Sequence, residues 1–192
     1  MPKTGNDAID FNKKEKVKIE GRVIGDEESE VIKDAFDMLT VGSWSEEELA
    51  GFDLLGELQS PKTHKIGLFA EVDGKKKLIG FAGASTLGTP NFAGTVEYPK
   101  DAHDIWCGYF VIHPDYRNRL DVISNLKALH DSVLGYSLLT TKTTGGRILA
   151  CTEKPFVRAA LPRFGWVSKG ETRIVDKNGN DIGATSVFEY VK

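Results

Sequence analysis

Residues 108–133 read GYFVIHPDYRNRLDVISNLKALHDSV, and how this stretch divides decides the fold. An apolar run ends at His113-Pro114, a basic turn follows through Arg117-Asn118-Arg119, and a helical apolar spacing then begins. The run belongs to DIWCGYFVI, residues 104–112, which is nearly continuous in the way of a strand buried on both faces. After the turn, Val122, Leu126, Leu129 and Val133 fall on one stripe of a helix. A strand passing through a basic turn into a helix N-terminus is how several folds hold a phosphate group. Yet this turn has no glycine, the residue that lets backbone approach an anion closely.

Working outward, KIGLFAEVDGKKKLIGFAGAST (65–86) is the clearest hairpin, two apolar segments around the turn dipeptide Asp73-Gly74. Its lysine run reads as a solvated hairpin end. Upstream, KVKIEGRVI (16–24) alternates as a strand. Asp26 opens a helix with Ile32, Ala35, Phe36 and Leu39 on one face. A capping box from Ser45 to Glu48 predicts a second helix that carries Leu49, Phe52 and Leu55. Downstream, GYSLLTTKTTGG (135–146) leads to a short buried-type strand, RILACT. Pro155 suits the first turn of a helix that Pro162 ends or kinks. A last hairpin turns at Asn178-Gly179. Residues 87–103 form a long, turn-rich connection of the sort that often carries function. The order is strand, two helices, three strands, helix, strand, helix, two strands, which predicts a mixed α/β sheet covered by helices.

Residues 1–16 read as a loose arm and 17–192 as a single domain, since 192 residues suffice for one core without metal or disulfide support. Apolar residues make up 40% and the net charge is −3, so composition gives no general argument for nucleic acid or an anionic membrane as partner. No run approaches the roughly 18 apolar residues of a membrane span. Cys107 and Cys151 sit in apolar runs without metal-ligand spacing. They read as buried free thiols, suited to a reducing cytoplasm, and no metal site is expected.

Three local stretches carry a family resemblance. FAEVDGKKKLIGFAGAS (69–85), FVIHPDYRNR (110–119) and PFVRAALPRFGWVSKGE (155–171) resemble the central hairpin, the coenzyme A motif and the late helix with its Gly-aromatic dipeptide in GCN5-related N-acetyltransferases (the GNAT superfamily). The resemblance covers about residues 17–191. It implies a mostly antiparallel sheet of about seven strands with about four helices, and acyl transfer from acetyl-CoA to an amine of a small molecule or protein. By that resemblance the coenzyme lies in a V-shaped opening between Ile105–Ile112 and Arg147–Thr152. Backbone N–H groups near Tyr109, Phe110, Val111 and Ile112 face the thioester oxygen, and the pyrophosphate meets Arg117, Asn118, Arg119, Leu120, Asp121 and Val122.

The chain departs from that pattern at several positions. Leu120 and Val122 stand at the two small-residue positions of the loop. Asp121 puts a carboxylate at the helix start, where it repels a phosphate and reads otherwise as an N-cap for a helix beginning at Val122. Leu161 stands where the family often has a tyrosine placed to protonate the leaving thiolate, and Tyr136 is a candidate replacement as general acid. Glu97, His103 and Asp104 are candidates for the general base. Besides the acyltransferase, two other functions fit the residues. One is a GNAT-fold binding protein that has lost coenzyme A. The other is an acyltransferase taking its acyl group from a carrier protein or aminoacyl-tRNA, disfavoured by the charge. The acceptor is unread, and a homodimer through the last hairpin or an edge strand is open.

Overall fold

The computed structural model describes residues 18–42, 53–72, 74–86, 103–117, 120–152, 154–175 and 179–191. The expected arm at 1–16, the capping box at 45–48 and nearly all of 87–103 lie outside them. The strands are β1 (Ile19–Val23), β2 (Thr63–Val72), β3 (Lys75–Thr86), β4 (Ile105–Ile112), β5 (Ile148–Thr152), β6 (Trp166–Val175) and β7 (Asp181–Tyr190). The helices are α1 (Ser29–Gly42), α2 (Leu54–Gln59), α3 (Leu120–Thr144) and α4 (Pro155–Ala160).

All strands join one seven-stranded sheet in the order β1-β2-β3-β4-β5-β7-β6. Every pairing is antiparallel except β4 with β5. Period-two alternation divides the core between two faces. On one, α3 places Leu129 and Val133 against Ile66, Leu68, Ile79, Ala82 and Ala84. On the other, α1 and α2 place Ile32, Ala35, Leu39, Leu54 and Leu58 against Phe69, Phe81, Tyr109 and Val111. Fully burying a side chain such as Phe81 or Leu39 contributes about 1.5–3 kcal/mol, so both helical layers are held mainly by such contacts.

The expected order of elements is the observed one, with local differences. The helix α2 begins at Leu54, because the Asp53 carboxylate caps it by accepting from the Gly56 N–H at 2.9 Å. The helix after the basic turn begins at Leu120, so Asp121 lies within its first turn rather than before it. That helix also runs through the stretch read as a connector. There Ser137, Thr140, Thr141 and Thr144 bond their hydroxyls to carbonyls four residues back, at 2.8–3.2 Å. Hydroxyls satisfied in this way no longer draw the backbone out of the helix. Gly145, at φ +76°, ends it. Pro155 opens α4, and Pro162 falls in a 3₁₀ turn (Leu161–Phe164) that stops at Gly165, φ +88°.

Candidate active site

The parallel pair β4–β5 is fastened at one end. Ile105 N–H donates to the Arg147 carbonyl at 2.9 Å, and the buried Asp104 carboxylate accepts from the Arg147 N–H at 2.9 Å. It also takes the guanidinium, through Nε at 3.1 Å and through Nη2. Gly146 permits this crossing, since a Cβ there would lie 1.7 Å from the His103 carbonyl oxygen. Only Ile105–Ile148 and Trp106–Leu149 are in register. Beyond them β4 continues to Ile112 while β5 pairs with β7, so the strands part as a V that opens toward their C-terminal ends.

β4 is distorted where it leaves β5. Phe81 pairs with Val111 and Gly83 with Gly108, so Tyr109 and Phe110 together oppose Ala82 in a β-bulge. Tyr109 holds φ +60°, a left-handed backbone that costs a non-glycine residue energy and that surrounding packing must impose. The bulge sends Tyr109 to the α1–α2 face and Phe110 to the α3 face. A Cβ at Gly108 would meet no atom of the described residues within 4 Å, so among them space adjoins the bulge on the face Gly108 shares with Gly83. The Tyr109 hydroxyl is buried and, among the described residues, has no hydrogen-bond partner. Burial, and then the Glu57 carboxylate, push it well above the usual tyrosine range, so it stays protonated.

The α3 side of the opening is aromatic. The His130 ring lies 6.3 Å from Phe110, 5.2 Å from Phe164 and 6.2 Å from Trp166, centroid to centroid. Trp166 Nε1–H donates to His130 Nε2 at 3.0 Å, and His130 Nδ1 stands 3.2 Å from Asp131 Oδ1. Because Nε2 accepts, the proton of the neutral ring sits on Nδ1, facing the carboxylate. A hydrogen bond from Lys127 and another from His130 hold Asp131 below the ordinary carboxylate value. Phe110, Leu126 and Phe164 are each about 40% exposed around this buried pair, and give the opening an apolar rim.

At the end of β4, His113 caps a 3₁₀ turn (Pro114–Tyr116) by accepting from Asp115 N–H at 3.4 Å. Arg117 Nε donates to the Ile112 carbonyl at 2.9 Å, which braces the guanidinium against the strand end. Asn118 and Arg119 lie outside the described residues, as do the side chains of Leu120, Asp121 and Val122, whose backbone forms the first turn of α3.

The structure thus brings Tyr109, Phe110, Val111, Ile112 and Arg117 together along one strand and its turn. His103 and Asp104 lie at the fastened end of the V, with Asp104 engaged by Arg147. Tyr136 stacks on His64 of β2 at 3.9 Å, two strands away from β4, and Glu97 lies outside the described residues. Burial pushes the Cys107 thiol up to about 12, partly offset by its contact with Ser137 Oγ at 3.2 Å. A nucleophilic role for Cys107 is therefore set aside. Cys151, expected buried, is exposed, two residues past the last β4–β5 pair at Trp106–Leu149. The sequence signalled neither the bulge nor the His130–Trp166 pair. The nearest hint was two glycines, Gly83 and Gly108, in strands with otherwise bulky residues. Among the described residues, no three His, Cys, Asp or Glu side chains gather as a metal site, and no helix is long and apolar enough to cross a membrane.

A mostly antiparallel seven-stranded sheet, flanked by helices and splayed as a V between its parallel strands, has the GNAT-like fold, and comparison with solved structures agrees. FeeM, an N-acyl amino acid synthase from uncultured soil microbes, superimposes with a TM-score of 0.60 at 14% identity, over 91% of this chain and 90% of FeeM. Escherichia coli ElaA gives 0.59 at 11% identity, over 91% and 100%. A Desulfovibrio desulfuricans protein assigned to the GNAT family gives 0.57 at 14% identity, over 91% and 99%. No protein-family model matches the sequence, and no curated protein does. At these identities the likeness establishes the fold.

Proposed function

We propose that the protein transfers an acyl group, in the simplest case acetyl, from coenzyme A to an amine. The observation that carries this is the bulge at Tyr109–Phe110, at the point where β4 leaves β5. Acyl transfer to an amine needs a site that stabilises the thioester oxygen as charge develops on it. Bulged backbone N–H groups, released from the ladder and fixed by packing, meet that need without any side chain. The thioester arm then lies in the V, with the bulge amides of Tyr109 and Phe110 at its reactive end. Arg117, whose Nε is already braced on the Ile112 carbonyl, turns its Nη groups toward the pyrophosphate. The residues fit acetyl-CoA as a co-substrate along β4. They fit less well at the helix start, where Leu120 and Val122 stand at the two small-residue positions and Asp121 adds a carboxylate.

The second function, a GNAT-fold binding protein without coenzyme, draws on a separate observation. Phe110, His130, Phe164 and Trp166 already occupy the α3 side of the opening. The deciding experiment is calorimetric titration with acetyl-CoA, alongside thermal unfolding. Acetyl-CoA at 100 times its dissociation constant stabilises the fold by about 2.7 kcal/mol. Heat on titration and a raised melting temperature support transfer. Silence in both at millimolar acetyl-CoA refutes it.

A further inference from the structure

Glu57 stands in the middle of α2 with its side chain 1% exposed. Its Oε1 accepts from Ser85 Oγ and lies 3.4 Å from Thr63 Oγ1. Each hydroxyl has one proton to give. Thr63 spends its proton on the Glu57 carbonyl, at 2.7 Å, and Ser85 gives its proton to the carboxylate. Burying a carboxylate costs several kcal/mol even after relaxation. Apolar residues would close this layer at less cost, so the arrangement is one to ask a function of.

Its position relative to the bulge suggests that function. Ser85 pairs with Trp106 and Gly83 with Gly108, so Ser85 lies two residues, about 7 Å, along β3 from the Gly83–Gly108 pair that flanks the bulge. Phe81, Gly83 and Ser85 share the α1–α2 face, and the Tyr109 ring covers Gly83 there. On this face the space beside Gly108 is open, whereas aromatic rings fill the α3 face. The unpartnered Tyr109 hydroxyl is a second, independent sign. An orphaned buried hydroxyl costs about 1–3 kcal/mol, recovered when a ligand's polar group bonds to it. Among the described residues, the other titratable groups nearby are Lys65 on the same face of β2, held by Asp26 at 2.6 Å, and Asp53 at the start of α2. Cys151 lies across the opening, and α1 contributes apolar Ile32, Ala35, Met38 and Leu39.

We propose that the amine acceptor enters on the α1–α2 face and that Glu57, acting through Ser85, takes its proton. This rests on the transferase function above. As the nitrogen lone pair forms the C–N bond, the N–H proton passes to Ser85 Oγ and the Ser85 proton passes to Glu57 Oε1. The C–S bond breaks with its electron pair left on sulfur as coenzyme A thiolate, and Glu57 later returns the proton to solvent. Ser85 touches the amine, and Glu57 is the positioning residue behind it. Both are closed from bulk water in this structure, so the amine reaches Ser85 only when this face opens.

The test is transfer from acetyl-CoA to a series of primary alkylamines, followed by thiol release between pH 5.5 and 9.5. Glu57→Gln keeps an oxygen for Ser85 to donate to. It is expected to lower kcat about 100-fold, the lower end of the range for lost general-base catalysis. The acetyl-CoA dissociation constant should stay within twofold. Ser85→Ala should reproduce the loss and Ser85→Thr restore most of it, an outcome that covers a poorly folding Glu57 variant. Glu57→Gln with kcat within threefold of wild type overturns the proposal, as does an active Ser85→Ala. If the wild-type chain binds no acetyl-CoA, the transferase function falls and this proposal with it. Binding without these mutational effects removes the proposal alone.

Discussion

Asp104→Asn separates fastening of the V from proton transfer. The Asp104 carboxylate is 1% exposed and has two oxygens in use. Oδ1 takes the Arg147 N–H at 2.9 Å and Nε at 3.1 Å, and Oδ2 takes Nε at 3.1 Å and Nη2. Asparagine keeps one oxygen, which the backbone N–H claims, and sets its amide protons against those of the guanidinium. Two charge-assisted hydrogen bonds are lost, each contributing about 1.5–3 kcal/mol. The Arg147 side chain is 37% exposed, so it can turn to water and recover part of this. The net cost is then about 2 kcal/mol.

For a chain of this size that corresponds to a melting temperature lower by about 4–8 °C. Urea unfolding should give the same loss with an unchanged m-value, as expected when the native state is weakened and the unfolded chain is not. Arg147→Gln should cost a similar amount, and the double variant clearly less than the sum, since both single changes break one interaction. The transfer rate, corrected for folded fraction, should fall by less than threefold. A melting temperature within 2 °C of wild type refutes the fastening role. An intact fold with a hundredfold slower rate at all amine concentrations would make Asp104 the base.

Trp166→Phe removes the N–H given to His130 and leaves a buried acceptor unsatisfied; a loss of about 1–3 kcal/mol in chemical unfolding is expected. Gly146→Ala forces its Cβ into the His103 carbonyl, so thermal unfolding should show a cost of about 3 kcal/mol, whereas Gly108→Ala, with open space around it, should leave the melting temperature nearly unchanged. In native protein at pH 8, a thiol reagent should modify one cysteine, the exposed Cys151, because Cys107 is buried and its thiol is pushed up to about 12; denaturation should release the second. The Arg22 hydrogen bond and the Gly25 N–H depress Glu28 to about 2. The stability this contributes is therefore present above the unfolded value near 4.5 and is lost as pH falls toward 2, which a carboxyl NMR titration of Glu28 would follow.

The elements readable from the sequence were those written locally. Asp73-Gly74 between two apolar runs gives the β2–β3 hairpin, and His113-Pro114 marks the end of β4, because turn chemistry and apolar period act over a few residues. The length of α3 was not readable, since Ser and Thr lower helix propensity until their hydroxyls find carbonyls four residues back. The site itself depends on register. That Tyr109 and Phe110 share one partner is a relation between β3 and β4, and the fastening of Asp104 to Arg147 spans 43 residues. Glu57 went unnoticed as a candidate because a predicted helix over its whole stretch gives no sign that this one carboxylate turns toward Ser85.

The bulge links the two functions that the departures in the turn left in competition. One extra residue in β4 changes which side chain faces which helix, so Gly108 and Tyr109 fall together on the α1–α2 face while Phe110 goes to α3. The first effect makes room beside a set of free backbone N–H groups, which favours transfer. The second adds an aromatic ring to the His130–Trp166 pair on the side a coenzyme arm would use, which favours its exclusion. The two effects are not equally fixed. Tyr109 is held by the close approach of its ring to Gly83 and by packing on two helices, whereas Phe110 is 38% exposed and touches the aromatic group at its rim. A half-exposed ring can change rotamer at little cost, and a bulge locked into a sheet cannot. The bulge and the space beside it are therefore the durable feature of the site, and the apolar rim is the adjustable one. That weighting, more than the residues at Leu120–Val122, favours transfer over a coenzyme-free binding role.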